Sequence, residues 1–514
     1  MTPTDAAKSQ TPTDTVVSAV RRVVDVTEAV TTLVFNVVGN VERLVNDAVV
    51  DATQVARESE ALYAAVARGT ASVSAAIRAT PRFSRVVQEL TRLALAYRIH
   101  TLRARFMSPE AAEQARQELH RRWAERLYTL CIELRGGVLK VGQFASSRMD
   151  LLPAPYIEAL SRLQDRVPPI PVEVIAARVE QELSAPPDEL YDAFDPEPLA
   201  AASLAQVHAA VLEGQPVAVK VQVPEIEKTV EIDLAALKVM AGVLQDLLLP
   251  HLDLRTVAKE LERSIVKELD YEREARVAGE LAASFADTPG VRVPRIHGAR
   301  SSRRVLTMEL CEGERLVPFL DACEAGAGER SREQLDRVFE ILLCTTCAQV
   351  LEHGLYQADP HPGNFLVAAS PEPVLALLDF GAFTRFPGEQ RRSYAELAGA
   401  ILGRDHERIA GKLRDLGFRT RSGDDASLLR FSEMLMDVFR PDPDVALADL
   451  DPQAAFEEAL ALARANPVQI PHDFVLLGRV FAALGGLVLR YRPRLDLFAL
   501  LAPYLAAALA PASR

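Results

Sequence analysis

The chain has 514 residues, 49% hydrophobic and 25% charged, which suits two to four lobes around a large core and excludes general disorder or a low-complexity fibre. Its 71 acidic against 58 basic residues give a formal net charge of −13, which excludes a general nucleic-acid binder, because phosphate neutralisation needs a basic surface. Five scattered cysteines (Cys131, Cys311, Cys323, Cys344, Cys347) exclude a disulfide framework, and the lone Cys344-x-x-Cys347 lacks a second pair to complete four metal ligands, so it reads as core.

Residues 1–14 read as a disordered tail without the form of a signal peptide, so reduced cytosol is the default compartment. Residues 15–109 read as an amphipathic helical region. In it Val30, Val34, Val37, Val41, Leu44 and Ala48 recur at helical spacing, and Arg78 to Arg105 carries seven arginines and one acid, Glu89. Two readings stand side by side: packing against the rest of the chain, or peripheral contact with an anionic membrane. Residues 110–171 continue as a helical extension, interrupted at Gly136-Gly137 and ended by Val167-Pro-Pro-Ile-Pro171. Residues 172–315 form a lobe with β segments, and 316–514 are mainly helical. No uncharged apolar stretch reaches membrane-spanning length, since Arg479 breaks Phe474–Leu489 and Pro503 breaks Leu497–Ala510.

Within the β-containing lobe, Ala205–Val211 and Val217–Val223 read as a hairpin joined through Glu213-Gly214-Gln215, with a long helical region from Glu225 to about Ser284 after it. Only eight of the 58 basic residues are lysines, so Lys220 inside an apolar strand calls for a reason; a lysine snorkelling from an edge strand is the bland one. Arg304–Leu310 reads as a further strand. Later, Asp359-Pro-His-Pro-Gly-Asn364 is a rigid loop holding an acid and an amide five residues apart. It leads through a β pair, Phe365–Val367 and Val374–Leu378, to Asp379-Phe-Gly381. Asn364 and Asp379 offer hard oxygen ligands suited to Mg²⁺, and Asp359 can accept or orient the proton of an attacking hydroxyl. Each fragment alone has an ordinary explanation as turn chemistry. Together and in this order they follow the way protein kinases present their ATP machinery. The place of a glycine-rich phosphate loop instead reads Pro198-Leu-Ala200-Ala201-Ala202-Ser203. Alanine does not freely take positive φ, so the backbone must approach phosphate differently, with Ser203 as a candidate contact. His361 reads as a loop brace, and His208, His297 and His353 as core or surface residues.

On these motifs the chain resembles the UbiB/ADCK family of atypical kinases, also called aarF-domain kinases. The likeness spans about residues 115–400. It rests on Ala200-Ala-Ala-Ser203-Leu-Ala-Gln-Val-His208, Lys140-Val-Gly-Gln143, Leu163-Gln-Asp-Arg-Val-Pro-Pro169, Glu268-Leu-Asp270-Tyr-Glu-Arg-Glu274-Ala, and the motifs at 359–364 and 379–381. The resemblance implies an α+β, protein-kinase-like two-lobe fold with an N-terminal helical extension, using ATP and Mg²⁺. By it, Lys220 contacts the α/β phosphates, and Glu274 as first choice or Glu268 as second pairs with that lysine. Lys140 and Gln143 reach into the cleft, Lys140 near Glu268 and Asp270. Ala200–Ser203 lie at the phosphates, and the backbone of Met308-Glu309 holds adenine. The extension would cover the surface where an ordinary kinase docks its peptide, so protein phosphorylation is not expected.

The function so implied is that of an ATPase or a small-molecule or lipid kinase supporting isoprenoid quinone biosynthesis or lipid homeostasis. Its ligand would be a lipid or quinone precursor, and its partners quinone- or lipid-biosynthetic proteins. The alternative is an ATP-binding pseudokinase that acts as a chaperone or scaffold for such enzymes. Where many relatives carry His two residues before the loop acid, this chain has Gln357, which loosens loop bracing. Some relatives have two C-terminal transmembrane helices that this tail does not supply, so a cytoplasmic protein peripheral to the membrane is expected.

Overall fold

The computed structural model describes residues 52–146, 152–164, 169–247, 253–326, 330–358, 360–369, 372–403, 405–420, 428–429, 433, 468–469 and 471–510. The valine-rich repeat of residues 30–48 and the loop acid Asp359 lie outside them. The chain forms two compact units, residues 1–123 with 236–254, and residues 124–235 with 255–514.

In the first unit, α1 spans Ala52–Ala71 and α2 spans Pro81–Ala104. The Thr80 hydroxyl accepts from Phe83 N, and Pro81 takes the first helical position, where its missing N–H costs nothing. Phe83, Val86, Val87, Ala94, Leu95 and Leu102 then share the buried face of α2. Glu89 is buried too, held by Arg85 at 3.1 Å and Arg92 at 2.7 Å, and Arg98 pairs with Glu58 at 2.7 Å. At least three of the seven arginines from Arg78 to Arg105 thus serve ion pairs within this unit, two of them along α2 itself.

The second unit takes up α3 (Pro109–Leu134) at Ala124. The helix stops one residue before the expected Gly-Gly: Arg135 and Gly136 take φ of 55° and 58°, and α4 (Gly136–Ser146) begins. Next come α5 (Ala154–Ser161) and α6 (Val172–Leu183), then β1 (Ala193–Ala201), β2 (Ala205–Leu212) and β3 (Gln215–Gln222). The long helical region expected after them is three helices, α7 (Ile226–Leu247), α8 (Leu254–Glu268) and α9 (Tyr271–Ser284). They are followed by β4 (Val291–Arg292) and β5 (Val305–Glu309).

Strands β1-β2-β3-β5 form one antiparallel sheet in that order. The β2–β3 turn is the two residues Glu213-Gly214, both at positive φ (53° and 74°), whose twist matches that of the flanking strands. Val217, Val219 and Val221 of β3 are fully buried with Ile175 and Val179 of α6. The alternate residues turn to the other face, where Ala218 packs with Tyr271, Leu306 and Met308. Lys220 shares that second parity. Because β3 lies between β2 and β5, Lys220 is not an edge-strand lysine.

The rest of the chain begins with β6 (Glu314–Arg315), α10 (Leu316–Ala325) and α11 (Arg332–Cys347), the last opened by a reciprocal Ser331–Gln334 cap. A π turn at Ala348–His353 leads to β7 (Leu355–Gln357), β8 (Phe365–Ala368), β9 (Val374–Leu377) and β10 (Phe383–Arg385). Then follow α12 (Gly388–Leu402), α13 (His406–Asp415), α14 (His472–Tyr491) and α15 (Leu497–Leu509). Strands β4-β9-β8-β6 form a second sheet and β7 pairs with β10. Phe319, Phe339, Tyr356, Phe380 and Phe383 fill the core beneath them. Burial pushes the Cys347 thiol up to about 12, as for a core side chain rather than a reactive thiolate. Among the described residues, no helix is long and apolar enough to cross a membrane.

Candidate active site at the face of strand β3

Lys220 leaves β3 on the face opposite the valine core and meets α9. Its ammonium lies 2.7 and 2.9 Å from the two Glu274 oxygens, 3.9 Å from Asp379 Oδ1, and 5.0 Å from the centre of the Tyr271 ring. Glu274 is only 1% exposed, and Phe380 N also donates to it at 3.4 Å. Burial works to lower the Lys220 pKa, but the Glu274 carboxylate outweighs it and holds the ammonium above the usual lysine range. Asp379 is different: its side chain is 37% exposed, and its Oδ1 accepts from Gly381 N at 3.0 Å. A buried ion pair therefore stands beside an open carboxylate.

The expected glutamates are separated by a helix break. Glu268 ends α8, Asp270 caps α9 by accepting from Arg273 N at 2.9 Å, and Glu274 falls in the first turn of α9. Glu268 consequently faces Lys140 instead, at 2.6 and 2.8 Å. That pair borders the Asp379 turn, because a Cβ on Gly381 would lie 3.4 Å from Asp379 Oδ1 and 3.9 Å from Glu268. Gln143, one turn after Lys140, donates to Leu163 O at 2.9 Å and accepts from Ser203 Oγ at 3.2 Å. The alanine segment is a strand end and a tight turn more than a loop. Ala200 and Ala201 pair with Val207 and Gln206, and Ala202 N donates to Ala205 O at 2.8 Å. None of residues 200–203 takes positive φ.

Next to this segment, Gln206 clamps the backbone of Ile170, accepting from its N–H at 2.8 Å and donating to its carbonyl at 3.1 Å. Gln206 Nε2 also donates to Nε2 of the fully buried His208, whose Nδ1 donates to Asp195 O. Accepting at Nε2 requires neutral imidazole, whereas the Nδ1–H bond to Asp195 O would survive protonation; burial lowers the His208 pKa. The unfolded imidazole, near 6.5, takes up its proton first as pH falls, so this term is present above about pH 6.5 and is lost below it. In urea titrations, the wild type is expected to lose on the order of 1 kcal/mol more than His208→Asn between pH 7 and pH 5. Parallel losses in the two proteins would contradict a buried neutral His208.

Asn364 and Asp379 line one cavity, together with the buried Thr345, Gln349 and Gln357. Asn364 sits at the end of a short 3₁₀ turn, braced by Gly363 N donating to His361 Nδ1 at 3.1 Å, and its carbonyl accepts from Leu378 N at 3.0 Å. No cluster of three His, Cys, Asp or Glu side chains capable of holding a metal exists among the described residues. The open carboxylate of Asp379 and the amide of Asn364 are oxygen donors that would fit a magnesium ion, its remaining ligands having to come from outside this pair. At the expected adenine strand, Met308 is buried, and the N–H of Glu309 is engaged by Arg295 O at 2.8 Å. The Glu309 carboxylate pairs with Arg292.

The sequence did not single out Arg273. Its guanidinium donates to Gly381 O at 3.0 Å and to Phe383 O at 2.5 Å, tying α9 to the segment after Asp379. Its neighbour Glu274 holds Lys220, so consecutive residues on one helix fix both sides of the site. In the sequence only its place beside Glu274 sets it apart. Arg273→Leu is expected to lower stability by about 2–3 kcal/mol in denaturant unfolding, since two carbonyls lose charge-assisted partners. A change under about 0.5 kcal/mol would show that the fork is not formed in solution.

A lysine–glutamate pair bridging strand and helix, beside a strand-borne Asp-Phe-Gly, defines a protein-kinase-like fold, and the comparisons agree. A family model described as the ABC1 atypical kinase-like domain matches residues 162–413. The chain is 31% identical over 402 residues to the uncharacterized protein sll0095 of Synechocystis, covering 77% of this chain and 69% of that one. It is 32% identical over 397 residues to Protein ACTIVITY OF BC1 COMPLEX KINASE 7, chloroplastic, of Arabidopsis thaliana, covering 76% and 55%. A solved complex of Rv3197 with erythromycin, from Mycobacterium tuberculosis, superposes with a TM-score of 0.53 at 25% identity, covering 78% of this chain and all of that one. The chain belongs to the ABC1 atypical kinase-like family, the UbiB/ADCK group of aarF-domain proteins. It spans roughly half to two thirds of the length of the curated relatives it matches.

Proposed function

We propose that this site binds Mg²⁺ and ATP and acts as an ATPase or as a kinase of a small lipid-related acceptor. The observation that carries this reading is the Lys220 ammonium between the buried Glu274 and the open Asp379. Here Lys220 neutralises phosphate charge, Asn364 and Asp379 hold the metal ion, and Asp359 orients the nucleophile for in-line attack at the γ-phosphate. Mg²⁺, when bound, neutralises charge on the phosphate oxygens. Relatives named as kinases support phosphoryl transfer as the class of chemistry.

Support for isoprenoid quinone biosynthesis or lipid homeostasis at an anionic membrane surface completes the reading, with quinone- or lipid-biosynthetic proteins as partners. Helix α15 favours peripheral attachment: it carries no charged residue, is half-exposed, and follows the exposed Arg492 and Arg494. The second reading, an ATP-binding pseudokinase serving as a scaffold, is favoured by one feature. The Lys140–Glu268 pair and the Gln143–Ser203 bond fasten the extension over the acids and alanines of the site.

An ATPase assay of the full chain separates the two, run with and without anionic liposomes and small phenolic compounds, with erythromycin added in view of the mycobacterial complex. Turnover that disappears in Asp359→Ala supports the enzyme. Saturable ATP binding without turnover supports the scaffold, and no ATP binding contradicts both.

A further inference from the structure

We infer that Asp233 is a positioning residue for the helix that carries Lys140 and Gln143, gripping its first turn from α7. Helix α4 begins at Gly136, and the first N–H groups of any helix have no partner within it. Asp233 is 0% exposed, and its Oδ2 accepts from Val138 N, in that first turn, at 3.0 Å. A carboxylate placed there also meets the positive end of the helix dipole.

The fit depends on the second glycine of the pair. A Cβ on Gly137 would stand 2.8 Å from Asp233 Oδ2 and 3.0 Å from its Cβ, closer than any side chain can sit. What reads in the sequence as a helix interruption is a seat for a buried acid contributed from far along the chain. Lys140 follows Val138 by two residues, and Gln143 lies one turn later. The far end of the helix is held through Gln143 on Leu163 O and Ser203 Oγ. A short helix gripped at both ends carries its two functional side chains as one piece. Release of the Asp233 end frees Lys140 from Glu268 and Gln143 from Ser203 together. Asp233 thus sets how firmly the extension is held over the acids beside Asp379. That consequence for nucleotide binding rests on the function proposed above; the grip itself does not.

The test uses the full chain and two readouts. Hydrogen exchange of segment 136–146, without nucleotide, is expected to be roughly tenfold faster in Asp233→Ala and near wild type in Asp233→Asn, which keeps an acceptor oxygen. Gly137→Ala should reproduce Asp233→Ala, because its methyl displaces the carboxylate while all other groups remain. Exchange in the β2–β3 hairpin should stay unchanged in all three. The second readout is affinity for a non-hydrolysable ATP analogue with Mg²⁺. Asp233→Ala should shift it in the same direction as Lys140→Ala, and the double variant should add nothing further. Unchanged exchange in Asp233→Ala, failure of Asp233→Asn to rescue, or additive effects with Lys140→Ala would each overturn the inference. Faster exchange in Asp233→Ala, with no analogue binding by any protein including the wild type, would support the grip and contradict the nucleotide site instead.

Discussion

Lys220→Met is expected to bind no nucleotide and to unfold about 3–5 kcal/mol more easily than the wild type, the cost of leaving a buried charge without its partner. Glu274 is 1% exposed and the lysine is 17% exposed, so water cannot replace the ammonium. The pair Lys220→Met with Glu274→Met tests the assignment further. Removing both charges should recover most of the lost stability while nucleotide binding stays absent. Equilibrium unfolding in urea and calorimetric titration with ATP separate the two effects. Unchanged stability in Lys220→Met would mean that the ion pair is not formed in solution.

Asp379→Asn makes the complementary case. Its side chain is a third exposed and its Oδ1 already accepts from Gly381 N, a bond the amide oxygen can keep. The fold should therefore tolerate the change within about 1 kcal/mol, as for an exposed polar substitution. The metal contact should not survive, because a hard divalent cation loses an anionic ligand. The stabilisation of the protein by nucleotide in thermal unfolding should then cease to depend on Mg²⁺. Mg²⁺-dependent stabilisation persisting in Asp379→Asn would remove this residue from the metal site.

The strand that carries Lys220 was legible because its period of two survives in the structure as two different cores, Val217, Val219 and Val221 on one face and Ala218 on the other. Strand β1 was not, because Pro196 and Pro198 argue against a strand. It exists as the sheet's outer strand, with register shifts on both sides of Pro198. The break between α8 and α9 was passed over within one helical region, although Asp270 is a good cap. That break is what sends Glu268 to Lys140 and Glu274 to Lys220. Arg273 and Asp233 lay beyond sequence reading for a simpler reason. Their partners, Gly381, Phe383 and Val138, lie about a hundred residues away, and no local pattern encodes such contacts.

Titration calorimetry of the full chain with a non-hydrolysable ATP analogue, with and without Mg²⁺, decides whether Lys220, Asn364 and Asp379 form one metal–nucleotide site. Saturable binding is expected at one site per chain, at least roughly tenfold weaker without Mg²⁺ and absent in Lys220→Met. No saturable binding, or binding of equal strength with and without the metal and in the variant, would contradict it.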